Sequence, residues 1–235
     1  MRGDIQYMYN LHHNPVLIPH QARILTLFFK SHIGQQFFLT GGTALAAFYL
    51  AHRKSEDLDL FTVQPFDSLH LTKAIQNILE ETSSHIERQL KTPRYWELYL
   101  RNKTDSWIQR LDFVHEQPII FGKQETIDGV IVDSLENIAS NKILAIYGRL
   151  EPKDYLDFYW ICQETKLDFF QLFEKTKKKD TGLHEFYFAN IIADVEKLTR
   201  MPETLKPFNL LDLQHFYLGL SKQLLKKIKP DKSKM

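Results

Sequence analysis

An α+β fold is what this sequence predicts, with a mixed sheet and its helices in the first half and helices alone in the second. Three observations carry that expectation. Between residues 36 and 132, short apolar or alternating stretches recur, separated by glycine, proline and aspartate. The first of them runs through two glycines straight into a run of helix formers. From Ser134 onward the alternation gives way to helical spacing. The texture changes near residue 133, so the expected division is a mixed domain over 1–133 and a helical one over 134–235.

The elements follow in order. Pro19 to His32 places Ala22, Ile24, Leu25, Leu27, Phe28 and Phe29 at helical spacing, with proline suited to a first turn. Gln36 to Thr40 is short and apolar, a buried strand. Gly41-Gly42-Thr43 breaks it, and a helix is expected over Ala44 to Ala51. Leu58 to Val63 alternates as a strand. Asp67 or Ser68 caps a helix reaching about Thr82. Strands are expected over His85–Lys91, Tyr95–Arg101 and Trp107–His115, then short extended pieces broken at Gly122 and Asp128-Gly129. The helices of the second half start at Ser134, Pro152, Asp168, His184 and Leu210, and the lysine-rich tail after Ile228 reads as unstructured.

Composition narrows the function classes. A chain of 235 residues with 43% hydrophobic residues buries a proper core. A formal charge of +1 gives no global basic field, so any contact with nucleic acid has to come from a local patch. Cys162 is the single cysteine, which excludes an intrachain disulfide and a thiolate zinc cluster. Met1 to Tyr7 lacks the apolar stretch of a signal peptide, and no run approaches the roughly 18 apolar residues of a spanning helix. A cytoplasmic protein that does not enter the membrane is expected.

The chemistry concentrates around Asp57-Leu58-Asp59. Residues two apart on a strand face one side, so Asp57 and Asp59 project together while Leu58 and Leu60 face the core. Paired carboxylates repel unless a cation sits between them. Magnesium, a hard ion held by one or two carboxylates plus phosphate oxygens, suits them. Gly41 and Gly42 let a phosphate approach the backbone closely, and the helix N-terminus after them favours an anion. Together they describe a triphosphate cradle beside a metal site. A third carboxylate would complete a two-metal site, and Asp112 is the candidate, a charge interrupting an apolar strand. Its alternative is an edge strand turned to water.

With these residues assembled, the chain resembles the AbiEii/AbiGii toxin family within the polymerase-beta-like nucleotidyltransferases. The resemblance rests on Gly41-Gly42-Thr43-Ala44-Leu45, on Arg53-x-Ser55-x-Asp57-Leu58-Asp59-Leu60-Phe61, on the Asp112 strand, and on Asn141 to Arg149 with Lys153 to Asp157. It implies a polymerase-beta-like core followed by a helical half. It implies Asp57, Asp59 and Asp112 as metal-binding and catalytic acids, with Lys142 and Asp157 as further catalytic residues. Gly41, Gly42, Thr43, Ser55 and Lys142 would bind the nucleotide. The cofactor would be magnesium (or manganese), the substrate an NTP, the acceptor tRNA or protein, and the partner a separate antitoxin. One departure is Gly42, where many superfamily members have serine; the Thr43 hydroxyl or backbone N–H groups would then serve.

Other readings stay open at this point. Lys142 and Arg149 lie two turns apart, and Asp154 and Asp157 share a face of the next helix. They could bind phosphate and acceptor, or form an ion-pair cluster joining two helices. The whole chain could be a non-catalytic nucleotide- or antitoxin-binding module, or could modify a small molecule of the aminoglycoside type. His12-His13 and His52 read as surface residues. Phe158, Tyr159, Trp160, Phe169 and Phe170 read as core.

Overall fold

The computed structural model describes residues 9–228 apart from 12, 66, 105 and 106. The expected tail after Ile228 and His12 therefore lie outside the described residues. The chain divides into two compact units, residues 3–138 and residues 139–235.

In the first unit, Pro19 opens helix α1 (Pro19–Lys30), where its missing N–H has no helical partner to lose. Seven strands form one sheet: β1 (Phe38–Thr40), β2 (Leu58–Thr62), β3 (Ser84–Lys91), β4 (Tyr95–Asn102), β5 (Ile108–His115), β6 (Glu125–Ile127) and β7 (Val130–Val132). Their order is β3-β4-β5-β2-β1-β7-β6. β2 runs parallel to β5 and β1 parallel to β7, while the other neighbours are antiparallel, so the sheet is mixed. Asp128 and Gly129 both take positive φ, at 49° and 86°, as a tight Asp-Gly hairpin between β6 and β7 requires. Helix α3 (Ser68–Glu81) starts where Asp67 accepts the Leu69 and His70 N–H groups.

The sheet has two unlike faces. Along β4, Trp96, Leu98 and Leu100 are buried while Tyr95, Glu97 and Tyr99 are half-buried. Leu58, Leu60, Leu111 and Phe113 continue the apolar face on β2 and β5, all fully buried. Helix α1 covers it, laying Phe28 5.3 Å from Phe113 and 5.4 Å from Phe37, ring to ring. Truncating such a buried phenylalanine to alanine typically costs about 3–5 kcal/mol. The opposite face carries the charges.

The connection after β1 departs from expectation. Helical structure begins at Gly41 itself, as α2 (Gly41–Ala44), and widens without a break into a π-helix over Leu45–Leu50. Gly41 makes the turn alone, at φ 70°, so Gly42 and Thr43 are already helical. π-helical turns are rare and cluster at functional sites. Ala51 ends the segment in the left-handed region, at φ 47°. Because Thr43 to Leu50 are all buried, the chain leaves the helix inside the unit, and His52 and Arg53 follow at 0% and 4% exposure. His52 is thus a core residue and not a surface one; His13 is exposed as expected.

Helix α4 (Leu135–Gly148) starts before the division between the units and ends beyond it. The second unit adds α5 (Pro152–Glu164), α6 (Phe169–Thr176), α7 (Glu185–Ala193), a 3-10 turn at Asp194–Lys197, and α8 (Leu210–Ile228). Asp168 caps α6 by accepting the Gln171 N–H. Phe158, Phe169, Phe173 and Phe188 are buried together, while Tyr159, Trp160 and Phe170 are only partly covered. Tyr217 of α8 lies tilted against Tyr155 of α5, ring centroids 4.9 Å apart, and donates to its carbonyl at 2.7 Å.

Candidate active site

The register of the sheet builds the site. Thr40 pairs with Asp59 across β1 and β2, Asp59 with Asp112 across β2 and β5, and Asp112 with Glu97 across β5 and β4. Directly paired residues point to one face. Thr40, Asp59, Asp112 and Glu97 therefore make a row across four neighbouring strands, on the face away from α1. β5 lies between β4 and β2, so Asp112 is no edge residue, and it is 6% exposed. Asp57 stands two residues before Asp59, just ahead of β2.

Asp112 is held from two sides. Arg110, two residues back on the same face, grips both carboxylate oxygens, Nε to Oδ1 at 3.1 Å and Nη2 to Oδ2 at 2.8 Å. Tyr95 donates its hydroxyl to Oδ1 at 3.1 Å. Arg110 also reaches Glu97 at 3.1 Å. Burial raises the Asp112 carboxyl above the ordinary aspartate value; Arg110 and Tyr95 oppose this, and the charge of Asp57 adds to it. Burial likewise pushes the Tyr95 hydroxyl up to about 12, against the pull of Arg110. The sequence reading missed Arg110, Tyr95 and Glu97. Their signal was the alternation Tyr95-x-Glu97 and Arg110-x-Asp112.

The turn beside this row is tightly fitted. A β-carbon built on Gly41 would overlap Oδ2 of Asp59, so the carboxylate lies against the bare backbone where a phosphate was expected to approach. The Thr43 hydroxyl donates to the Asp57 carbonyl and stands 2.8 Å from Ser55 Oγ, which ties the turn to the loop bearing Ser55 and Asp57. From the other side, buried Asp133 accepts the Thr40 hydroxyl at 2.7 Å and the Asn137 amide at 2.8 Å. Asp133 thereby fixes the residue immediately before Gly41.

Hard carboxylate oxygens from Asp57 and Asp59 beside the half-buried Gly41 backbone suit a hard divalent cation with phosphate as co-ligand. Among the described residues, however, no three His, Cys, Asp or Glu side chains stand in a metal-holding arrangement. Asp59 and Asp112 stand opposite one another in backbone register, with Asp57 two residues before Asp59, while the Asp112 carboxylate itself is engaged by Arg110.

The later motif lies in the helical unit. Lys142 Nζ sits 2.8 Å from Asp154 Oδ1 and 2.6 Å from Asp157 Oδ2, and Arg149 Nε sits 2.8 Å from Asp154 Oδ2. Both aspartates are fully buried and Lys142 nearly so. Burial would raise the Asp154 carboxyl, but Lys142 and Arg149 outweigh it and hold it below the ordinary value. Lys142 is therefore held between two carboxylates on α5.

A mixed sheet with helices, followed by a helical region, is a fold that solved structures share. A protein from H. pylori described as a candidate nucleotidyltransferase superposes with a TM-score of 0.57 at 16% identity, covering 89% of this chain and 93% of its own. JHP933 from Helicobacter pylori gives 0.51 at 16% identity over 88% and 91%. MenT4, a nucleotidyltransferase toxin from Mycobacterium tuberculosis H37Rv, gives 0.50 at 12% identity over 92% and 85%. An uncharacterized protein of Aquifex aeolicus (strain VF5) is 29% identical over 156 residues, 63% of this chain and 68% of that protein. The family described as nucleotidyl transferase AbiEii toxin, type IV TA system, matches residues 23–216. The chain belongs to this family of toxin nucleotidyltransferases.

Proposed function

We propose that this chain transfers a nucleoside monophosphate from an NTP to an acceptor hydroxyl on RNA, such as tRNA, or on a protein, releasing pyrophosphate. The observation that carries the reading is the row of Asp59 and Asp112 on adjacent strands, with Asp57 beside it, set directly against the Gly41 turn. The acceptor oxygen forms a bond to the α-phosphorus, and the bond from that phosphorus to the bridging oxygen of the β-phosphate breaks. The electron pair leaves with pyrophosphate. The turn from Gly41 to Thr43 offers backbone N–H groups to the phosphates, with Ser55 beside them. Asp112, whose carboxyl is raised by burial, draws the proton from the acceptor hydroxyl. Magnesium or manganese held by Asp57 and Asp59 would supply positive charge against the triphosphate. Lys142, Arg149, Asp154 and Asp157 are assigned to holding α4 to α5.

The family's place in toxin–antitoxin systems supports a role as a toxin with a separate antitoxin, acting in the cytoplasm where nucleoside triphosphates are. Among the described residues no helix is long and apolar enough to cross a membrane. The test incubates the protein with α-labelled NTPs, magnesium, and total cellular RNA or total protein. Label should move to one of the two acceptors, and Asp57→Ala should abolish the transfer. Nucleotide binding without transfer to either acceptor would overturn the reading.

A further inference from the structure

Gly41 and Gly42 are glycines for different reasons. Gly41 has a positive φ and lies against Asp59. Gly42 lies outside the left-handed region, so its backbone alone would admit any L residue. What excludes a side chain there is Arg53: a β-carbon at position 42 would overlap its Nη2, with Ser55 Oγ next at 3.2 Å. The guanidinium thus occupies the side-chain place of the turn's second residue. It is buried, and its Nη1 donates to the Lys54 carbonyl at 2.7 Å. The Thr43 hydroxyl, the other side-chain donor of the turn, is directed at the Asp57 carbonyl.

We propose that Arg53 binds the triphosphate, its guanidinium donating to the β- or γ-phosphate oxygens of an NTP seated on the Gly41–Thr43 turn, and that position 42 is glycine to admit it. This rests on the nucleotidyl-transfer reading. A guanidinium matches phosphate oxygens with several N–H donors in a fixed plane, and in a buried setting each such bond is stronger than in water. The charge reads the number of phosphates and leaves the base unread.

The experiment titrates ATP, GTP, CTP and UTP with magnesium into the full chain by calorimetry, then the monophosphate of the tightest binder. Wild type is compared with Arg53→Met and Gly42→Ala. If Arg53→Met does not fold, Gly42→Ala still decides: its overlap is with the far end of the flexible Arg53 side chain, with Ser55 Oγ in close contact at 3.2 Å, at a helical position that suits alanine. Each variant should weaken the triphosphate about 10- to 100-fold and leave the monophosphate unchanged. Gly42→Ala binding the triphosphate as wild type does would overturn the assignment, as would equal losses on triphosphate and monophosphate. Wild type binding none of the four triphosphates would sink the nucleotidyl-transfer reading and this assignment with it.

Discussion

The sheet and the helical unit each set carboxylates against a cation, Glu97 and Asp112 against Arg110 in the one and Asp154 and Asp157 against Lys142 in the other, and they differ in what they leave accessible. In the helical unit Asp154 and Asp157 are fully buried and Lys142 lies between them. In the sheet, Asp57 and Asp59 are half-buried and about a third of the Arg110 side chain meets solvent. Ion pairs sealed from water gain most of their worth from one another, and removing one member strands the rest. Ion pairs that remain accessible can exchange partners with an incoming ligand. The same residue types therefore serve cohesion in one place and chemistry in the other.

The largest effect expected from that contrast is at Asp59. Asp59→Asn keeps the shape against Gly41 but removes the charge; nucleotidyl transfer should fall on the order of a thousandfold, with little change in melting temperature. A variant that melts far below wild type while keeping its activity would erase the contrast. Lys142→Met should behave oppositely. It removes the ammonium from between two buried carboxylates, a loss of about 3–5 kcal/mol, which for a chain of this size lowers Tm on the order of 10 °C. Adding Asp157→Leu should recover part of the loss, because a buried charge is removed with its partner. If Lys142→Met instead melts like wild type and binds NTP weakly, Lys142 is a phosphate ligand and the division of labour fails.

Much of this was legible in the sequence wherever the signal was local. Asp57 and Asp59 follow from the two-residue period of a strand, the caps at Asp67 and Asp168 from their side chains, and the break between the short extended pieces β6 and β7 from Asp128-Gly129. What was not legible depends on pairings distant in the chain. Asp112 could be guessed as an acid on an apolar strand, but its engagement by Tyr95 needs the β4–β5 register. Asp133 reaches Thr40 across 93 residues. The π-helix arises in Leu45-Ala46-Ala47-Phe48-Tyr49-Leu50, an apolar run with no polar face to reveal its period. The burial of His52 follows from that segment being enclosed.

The smallest effect, and a sharp one, concerns pH. Asp112 and Asp154 are both buried and both bonded to an arginine, yet they shift in opposite directions. At Asp112 burial prevails, with Asp57 adding to it, and the carboxyl is raised. At Asp154 burial is outweighed by Lys142 and Arg149 together, and the carboxyl is lowered. Folding therefore favours protonated Asp112 and ionised Asp154. The stability due to Asp154 is present above the ordinary aspartate value and is lost as pH falls through the depressed one, so wild type and Asp154→Asn should converge in Tm on strong acidification. Activity that needs the Asp112 carboxylate should fail at a pH above the ordinary aspartate value. Arg110→Gln withdraws an opposing positive charge, so its acid limb should move to still higher pH in a profile of kcat/KM. A limb that stays put or moves down would show that Asp112 is not the group being titrated.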